Sequence, residues 1–454
     1  MSRAPAPGEP SSPAGAAFDR ENPAATHGAA GSAAIAAFAI GVVFSLFQVW
    51  TAAMSPLSSL VVRSLHVGFL LLMVFVLFGW RRSATPRSRV PWYDWLLAGT
   101  GFALGFYHMV FEAELILTAG DPSTTDIVVG CIEVLLVFEA ARRVMGWSLP
   151  IICGVFIPYA LLGPWLPFGL AHRGFGFEQV VDQLFLGTEG IYGTPTYVSA
   201  TFIFLFVLFG SFLERAGMIQ LFNDVALGLV GHAKGGPAKV AVISSGLMGT
   251  INGSGVANVL TTGQFTIPLM TKFGYRPAFA GAVEATASMG GQIMPPVMGA
   301  VAFIMAETLG VPYAEIATAA IIPAALYFFS AFWMVHLEAG KRNLVGLSKA
   351  ECPSALQAVI KGWYLLLPLV ALVFFGVSFG AKFAGARMWA GIVLVLIIIQ
   401  VMLGMAGHGM PVLGLLHGMN ALLIFGSAMY AARLAAMPAA PTPVAQPEAQ
   451  THSV

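Results

Sequence analysis

Residues 249–270 read "GTINGSGVANVLTTGQFTIPLM", and they place eight hydroxyl or amide side chains and four glycines in one short stretch. The rest of the chain is strongly apolar, so the stretch stands out against its surroundings. Unpaired polar groups cost several kcal/mol each in hydrocarbon. Irregular, polar backbone at membrane depth therefore lies inside protein or beside a water-filled cavity, and we expect the same of this segment.

The composition around this stretch is that of a membrane protein. Of 454 residues, 9% are charged and 57% are apolar, whereas soluble domains are about 25% charged. The mean hydropathy is +0.81. Several nearly uncharged runs exceed the roughly 18 residues that cross a bilayer. The sequence predicts an all-α polytopic membrane protein with about 11 spans.

The predicted spans are apolar segments separated by short polar or basic loops. They lie near 33–53, 58–80, 92–118, 123–141, 148–166, 195–214, 277–308, 314–336, 362–380, 388–406 and 411–433. Two amphipathic segments, 176–187 and 217–230, are predicted to be interfacial helices. Residues 1–31 and 435–454 are rich in Ala and Pro and are predicted to be disordered tails.

Basic loops predict the orientation of the spans. The loops 81–89 and 341–349 and the pair Arg142 and Arg143 are expected in the cytoplasm, which places the N-terminus there too. Basic residues flank the polar stretch on both sides: Lys234 and Lys239 before it, Lys272 and Arg276 after it. Because both flanks then lie on one face of the membrane, the region of about 238–272 is predicted to be a re-entrant helical hairpin.

A second interruption follows in "EATASMGGQIMPPVMG", residues 284–299. Gly290, Gly291, Pro295 and Pro296 fall within a predicted span, and the prolines remove backbone donors. Two such breaks close together are typical of a secondary transporter's binding site. Small residues of this kind also line tight helix contacts, so helix packing is the alternative explanation.

Ionisable residues also occur inside predicted spans. Such residues are functional candidates by default, and structural pairing is the alternative; they are His108, Glu112, Glu114, Asp126, Glu133 and Glu139. Glu284 lies just before the Gly290–Gly291 break, where it either lines a site or supports the fold.

The sequence argues against several other functions. It has no GxxxxGK phosphate loop or HExxH spacing, and its three cysteines are scattered. Ser254 in "NGSG" superficially suggests an intramembrane serine hydrolase, but no histidine lies in a plausibly paired break. We therefore expect no catalytic residues, no enzyme activity, no cofactor and no nucleic-acid partner.

The residues around the two breaks resemble a known family. "GSGVANVLTTGQFTIPLMTKFGYRPAFAGAVEATASMGGQIMPPVMGAVAFIMAE" (253–307) is similar to the large permease subunit of tripartite ATP-independent periplasmic (TRAP) transporters. Residues 32–146, with "EAARRVMGWSLP" (139–150) at the junction, resemble the family's small four-helix subunit. The resemblance is to the fused type, with a large-permease-like transport region over 147–434.

The resemblance implies a function and a place in the cell. Members of this family import organic acids (carboxylates) with Na⁺ as the coupling ion, and a periplasmic solute-binding protein delivers the substrate. It implies a multi-pass protein of the bacterial inner membrane, with the lipid bilayer as its surroundings. No metal other than Na⁺ is implied.

The resemblance also implies the site residues, which lie at the hairpin tip and in the broken helix. The substrate-binding candidates are Asn252, Gly253, Ser254, Gly255, Asn258, Thr262, Glu284 and Gln292. The Na⁺-binding candidates are Ser245, Ser254, Thr261, Ser288, Gly291 and Pro295.

The sequence departs from the family's pattern after residue 310. The family's transport domain is an inverted repeat with a second hairpin, and no second tip with a Pro-Pro break follows here. The chain is thus expected to hold half of the inverted-repeat transporter fold. A separate chain would then supply the second repeat; the alternative is a truncated or non-transporting membrane scaffold.

Overall fold

The computed structural model describes residues 32–54, 57–80, 89–118, 120–363, 365–366, 386–406, 420, 423–424 and 427. The predicted tails lie outside the described residues, as do most of the predicted spans 362–380 and 411–433. Every regular element among the described residues is helical. The chain divides into two units, the first ending at Leu208 and the second beginning at Phe209. The predicted boundary at 146–147, between the small-subunit-like region and the large-permease-like region, stays a prediction.

The first unit is built from eight α-helices and part of a ninth. They are α1 (Ser32–Met54), α2 (Ser59–Leu77), α3 (Trp92–Leu104), α4 (Tyr107–Leu117), α5 (Thr124–Met145), α6 (Ser148–Leu161), α7 (Phe177–Val181), α8 (Thr194–Val198) and α9 (Phe204–Ala216), which crosses the boundary. Short 3₁₀ turns cover Gly163–Trp165 and Phe168–Leu170. Two π-helical turns, Asp182–Leu186 and Ser199–Ile203, follow α7 and α8.

Local sequence signals explain where several of these helices begin. Ser123 opens α5 with a reciprocal capping box, in which its hydroxyl accepts from the Asp126 amide while the Asp126 carboxylate accepts from the Ser123 amide. Such a box satisfies two backbone donors that the first helical turn leaves free. Ser58 caps α2 in the simpler way, by accepting from the Val61 amide.

The predicted span 92–118 is two helices rather than one. The chain breaks at Gly105, where an added Cβ would lie 3.0 Å from the Ser64 carbonyl oxygen and 3.1 Å from the Gly68 Cα. The Ser64 hydroxyl donates to the Gly105 carbonyl at 2.7 Å. Close packing on α2 therefore interrupts the helix, and a side chain of α2 satisfies a carbonyl there.

The second unit contains the hairpin. Its helices are α10 (Met218–Val230), α11 (Gly236–Asn252), α12 (Gly255–Lys272), α13 (Pro277–Met289), α14 (Ala300–Leu309), α15 (Tyr313–Lys341) and α16 (Ala386–Ala406), with a 3₁₀ turn at Gly290–Ile293. Residues 355–363 are also helical. The core between α11, α12, α13 and α15 is rich in alanine, including the fully buried Ala238, Ala241 and Ala287. Small side chains let these helix backbones approach closely.

Within the described residues, four helical stretches are long and apolar enough to cross a membrane: Ser32–Ala52, Ser59–Leu77, Thr194–Ala216 and Tyr313–Lys341. The predicted segments 176–187 and 217–230 coincide with α7 and its π turn, and with α10. The total of about 11 spans and the re-entrant course of the hairpin stay predictions.

Candidate functional site

The hairpin turns at two residues, Gly253 and Ser254, between α11 and α12. Gly253 has φ +57°, and a Cβ there would lie 1.9 Å from the Met298 carbonyl oxygen. Only glycine fits both the left-handed backbone and the close approach. The Ser254 hydroxyl caps α12 by accepting from the Ala257 amide at 3.3 Å. The tip therefore packs against the irregular loop of the second break.

The predicted second break is present. Helix α13 ends at Met289, a 3₁₀ turn follows, and helical structure resumes only at Ala300. The Gly299 amide donates to the Gln292 carbonyl at 2.6 Å and closes the intervening loop. The Tyr313 hydroxyl lies 2.8 Å from the Pro296 carbonyl oxygen and 2.9 Å from that of Val297. The Tyr313 side chain and the Gly299 amide thus contact carbonyls that the broken helix leaves free.

The two breaks pack directly on each other. A Cβ at Gly249 would lie 2.4 Å from the Gly291 Cα, and one at Gly255 would lie 2.5 Å from the Met289 sulfur and 3.1 Å from Gln292 Nε2. Glycine at Gly249 and Gly255 therefore permits backbone contact between the hairpin and the broken helix. At the tip, the buried Asn252 Nδ2 meets no acceptor with good hydrogen-bond geometry among the described residues, and the Glu214 carboxyl group is the acceptor that it interacts with.

A buried carboxylate lies below the tip, between α11, α12 and α13. Glu284 Oε1 accepts from the hydroxyls of Ser245 (3.2 Å), Ser288 (2.9 Å) and Thr262, and Oε2 accepts from Thr266 at 2.5 Å. All five side chains are at most 1% exposed. Hydroxyl donors to a charged acceptor form stronger bonds than neutral pairs do. The carboxylate therefore ties three helices together.

Asn258 extends this arrangement toward the backbone. Its Nδ2 donates to the Ser245 carbonyl at 2.8 Å and lies 3.5 Å from the Ser288 carbonyl. Its own carbonyl accepts from the Thr262 hydroxyl at 2.8 Å. We call the set of Ser245, Asn258, Thr262, Thr266, Glu284 and Ser288 the Glu284 cluster.

The structure groups the predicted site residues by position rather than by predicted role. The Glu284 cluster holds Asn258, Thr262 and Glu284 from the substrate set together with Ser245 and Ser288 from the ion set. The tip and the break hold the others: Asn252, Gly253, Ser254, Gly255, Gly291, Gln292 and Pro295. Thr261 belongs to neither group, because its hydroxyl donates to the carbonyls of Ala257 (3.0 Å) and Asn258 (3.1 Å). The roles in binding remain predictions.

Sequence reasoning did not select Thr266 or Tyr313 as site residues. Thr266 was detectable, because Asn258, Thr262 and Thr266 recur every four residues and so share one helix face. Glu284 and Ser288 show the same spacing on α13. Tyr313 gave no such signal, since it begins a separate helix and its acceptors lie in an irregular loop.

The base of the hairpin lies against the basic loop that follows α15. The Gly235 amide donates to the Leu344 carbonyl at 3.2 Å, and the Leu347 amide donates to the Gly231 carbonyl at 2.9 Å. The Tyr275 hydroxyl lies 3.5 Å from the Gly235 carbonyl, and burial raises the pKa of Tyr275 to about 12. The start of α11, the end of α12 and the basic loop are therefore neighbours.

Comparison with known proteins identifies similar sequences. The family model described as "Tripartite ATP-independent periplasmic transporter, DctM component" matches residues 132–435. A putative TRAP transporter large permease protein of Haemophilus influenzae is 27% identical over 226 residues, covering 49% of this chain and 50% of the relative. The C4-dicarboxylate TRAP transporter large permease protein DctM of Pseudomonas aeruginosa is 26% identical over 183 residues, covering 40% and 42%.

A third relative is the sialic acid TRAP transporter large permease protein SiaM of Vibrio cholerae. It is 25% identical over 240 residues, covering 53% of this chain and 54% of the relative. The chain spans about half the length of the curated relatives it matches.

Proposed function

Because the chain belongs to the DctM family of tripartite ATP-independent periplasmic transporters, we propose that it is a permease that imports organic acids with Na⁺ coupling. In this proposal a periplasmic solute-binding protein delivers the substrate. The chain lies in a bacterial inner membrane with its N-terminus in the cytoplasm. Its relatives include proteins named as C4-dicarboxylate and sialic acid transporters, which supports a carboxylate as substrate.

The observation that carries the proposal is the packing of a polar hairpin tip on a broken helix. Amides at the start of α12 can bind an anion, since a helix N-terminus presents free N–H groups. The buried Asn252 Nδ2 is a further donor, and among the described residues the Glu214 carboxyl group is its acceptor in the absence of substrate. A substrate carboxylate at the tip would accept hydrogen bonds from both.

Na⁺ is a hard cation that prefers oxygen ligands, and the Glu284 cluster supplies them. The hydroxyls of Ser245 and Ser288 lie 3.5 Å apart and share one carboxylate oxygen of Glu284. In the proposal these hydroxyls turn their lone pairs to the ion, and the carboxylate supplies the negative charge. Helix packing alone is the competing explanation for the same contacts.

The hairpin's dimensions support a re-entrant course. Helix α11 has 17 residues and α12 has 18, so each is about 26 Å long at 1.5 Å per residue. That is shorter than the roughly 30 Å hydrocarbon core. The base of the hairpin also lies beside the basic loop 341–349, whose charge favours the cytoplasmic face.

The proposal is tested by uptake into proteoliposomes. The full chain, with any co-encoded partner chain, is reconstituted and supplied with the cognate binding protein and a panel of labelled organic acids. We expect uptake that requires an inward Na⁺ gradient. Uptake that is unchanged when choline replaces Na⁺ would refute the coupling, and no uptake of any acid would favour the non-transporting scaffold.

A matched pair of variants separates binding at the tip from a general loss of structure. Asn252→Ala is expected to lower uptake about tenfold or more, because a hydrogen bond to a charged group contributes roughly 1.5–3 kcal/mol. Glu307→Ala alters an exposed side chain on α14 and is expected to leave uptake unchanged. Equal uptake by the Asn252 variant and the native protein would contradict the assignment of the tip.

A further inference from the structure

The first unit buries a group of ionisable side chains far in sequence from the hairpin. Glu133 on α5, His108 on α4 and Tyr192, in the segment before α8, are each 0% exposed. The Tyr192 hydroxyl donates to Glu133 Oε1 at 2.9 Å, and the His108 and Tyr192 rings meet edge to face at 4.8 Å. The proposed transport function uses none of these residues.

One polar atom of this group lacks a partner. Glu133 Oε2 meets no atom with hydrogen-bond geometry in the part of the chain that the structure describes, whereas the His108 ring interacts with the backbone of Phe185. Burying a charge without a partner costs far more than burying a neutral group, so an isolated buried carboxyl group neutralises instead. An ionised Glu133 would hold a full negative charge on one hydrogen bond.

No cation compensates that charge among the described residues. The elements that pack on α5 bring other charged or titratable groups: Arg63 and His66 on α2, Asp94 on α3, Tyr159 on α6, Glu178 on α7 and Asp182 in the following π turn. Arg63 donates to the Tyr192 carbonyl at 2.6 Å rather than to Glu133. Asp94 pairs with Arg143 at 2.6 Å.

Of the remaining groups, Tyr159 is exposed, and Asp182 is a carboxyl group that cannot compensate a negative charge. His66 contacts Gln48 and Ser199, and Glu178 is exposed. On α5 itself, Asp126 accepts from Tyr107 at 2.5 Å and closes the helix cap, while Glu139 pairs with Arg142 and Arg143. Among the residues that the structure describes, Glu133 therefore forms no ion pair with a group of opposite charge.

Close packing seals the site. One turn before Glu133, a Cβ at Gly130 would lie 2.7 Å from Val181 Cγ1 and 3.0 Å from Phe185 Cδ1. Phe185 is itself fully buried and meets the His108 ring at 4.9 Å. Phe185 of the π turn thus packs against the His108 ring, and the group formed by Glu133, His108 and Tyr192 lies in an apolar environment.

We propose that Glu133, with Tyr192 and His108, forms an internal proton-binding site in the first unit. One proton from solvent binds Glu133 Oε2 and makes the carboxyl group neutral. Oε1 remains the acceptor for the Tyr192 hydroxyl, and His108 stays uncharged beside it. The ligand of the site is a proton, and the site is independent of the hairpin and of the proposed transport function.

The proposal is tested by infrared difference spectroscopy of the full chain in liposomes. At neutral pH we expect the carbonyl stretch of a protonated carboxylic acid, sensitive to deuterium exchange, and its loss in Glu133→Gln. Glu139→Gln is the matched control on the same helix, and its ion-paired carboxylate contributes nothing to this band. Glu284→Gln shows what the buried carboxyl group of the second unit's cluster contributes.

A second variant tests the site without removing the carboxyl group. In Tyr192→Phe the band should persist and move to higher frequency, because the carbonyl oxygen loses its donor. Raising the pH should lower the melting midpoint of the native protein, since ionisation places an unpaired charge in the core; this part of the loss should be absent in Glu133→Gln. A band unchanged by Glu133→Gln, or an unshifted band in Tyr192→Phe, would overturn the proposal.

Discussion

The Glu284 cluster makes a quantitative prediction, because its members differ in whether they have a second acceptor. In Glu284→Ala, the Thr262 hydroxyl still has its hydrogen bond to the Asn258 backbone carbonyl at 2.8 Å. The Thr266 hydroxyl still has its hydrogen bond to the Thr262 backbone carbonyl at 3.1 Å. Ser245 and Ser288 keep only weak contacts with hydroxyls, at 3.3 and 3.5 Å. The variant therefore leaves two buried serine hydroxyls without a good partner.

These two hydroxyls set the expected cost. An unsatisfied buried hydroxyl costs about 1–3 kcal/mol, and loss of one buried methylene adds about 0.8 kcal/mol. Glu284→Ala should therefore destabilise the protein by about 3–7 kcal/mol. Glu284→Gln keeps the shape and one acceptor oxygen, so it should cost only about 1–2 kcal/mol, the charge-assisted part of these bonds.

The assay is unfolding of the purified full chain in mixed detergent micelles, by titration with a denaturing detergent. Glu307→Ala, an exposed carboxylate in the same unit, is the control and should change stability by no more than about 0.5 kcal/mol. Equal stabilities for Glu284→Ala and the native protein would refute the structural role of the cluster. Equal losses in the Ala and Gln variants would refute the reasoning about second acceptors.

Three further predictions concern close contacts and a buried ion pair. Gly253→Ala and Gly310→Ala both place a side chain at positive φ, but only Gly253→Ala adds a clash, at 1.9 Å. In the same unfolding titration, Gly310→Ala should cost about 1–2 kcal/mol of stability, and Gly253→Ala should cost clearly more. Gly249→Ala, with a Cβ 2.4 Å from backbone, should lower both stability and uptake, whereas Gly281→Ala, with nothing within 4 Å, should preserve both. Asp94→Asn breaks a fully buried pair and should cost about 3–5 kcal/mol; a loss below 1 kcal/mol in unfolding titrations would contradict that.

The hairpin and the second break could be predicted because their signals are local. Gly253 and Ser254 mark a turn by residue type, and Gly290, Gly291 and the two prolines interrupt a helix wherever they occur. The same holds for the caps at Ser123 and Ser254. These features depend on backbone geometry within a few residues, so no distant contact is needed to recognise them.

The sequence could predict which residues belong to the site, but not which of them contact one another. Ser245, Thr262 and Ser288 were expected near a ligand, but their common partner is a carboxylate on another helix. Glu284 lies 39 residues beyond Ser245 and 22 beyond Thr262. Composition shows that these groups are polar; it does not show which acceptor each donor meets.

The sequence by itself determined that this is an all-helical membrane protein, where its helices are interrupted, and to which family it is similar. Those properties follow from hydrophobicity, glycine and proline, which act through the local backbone. The tertiary structure decided that Glu284 accepts hydrogen bonds from hydroxyls of three helices, that Tyr313 contacts carbonyls of the broken helix, and that Glu133 has no charged partner among the described residues. Hydrogen bonds and desolvation depend on which side chains converge in space, and helix packing alone sets that convergence.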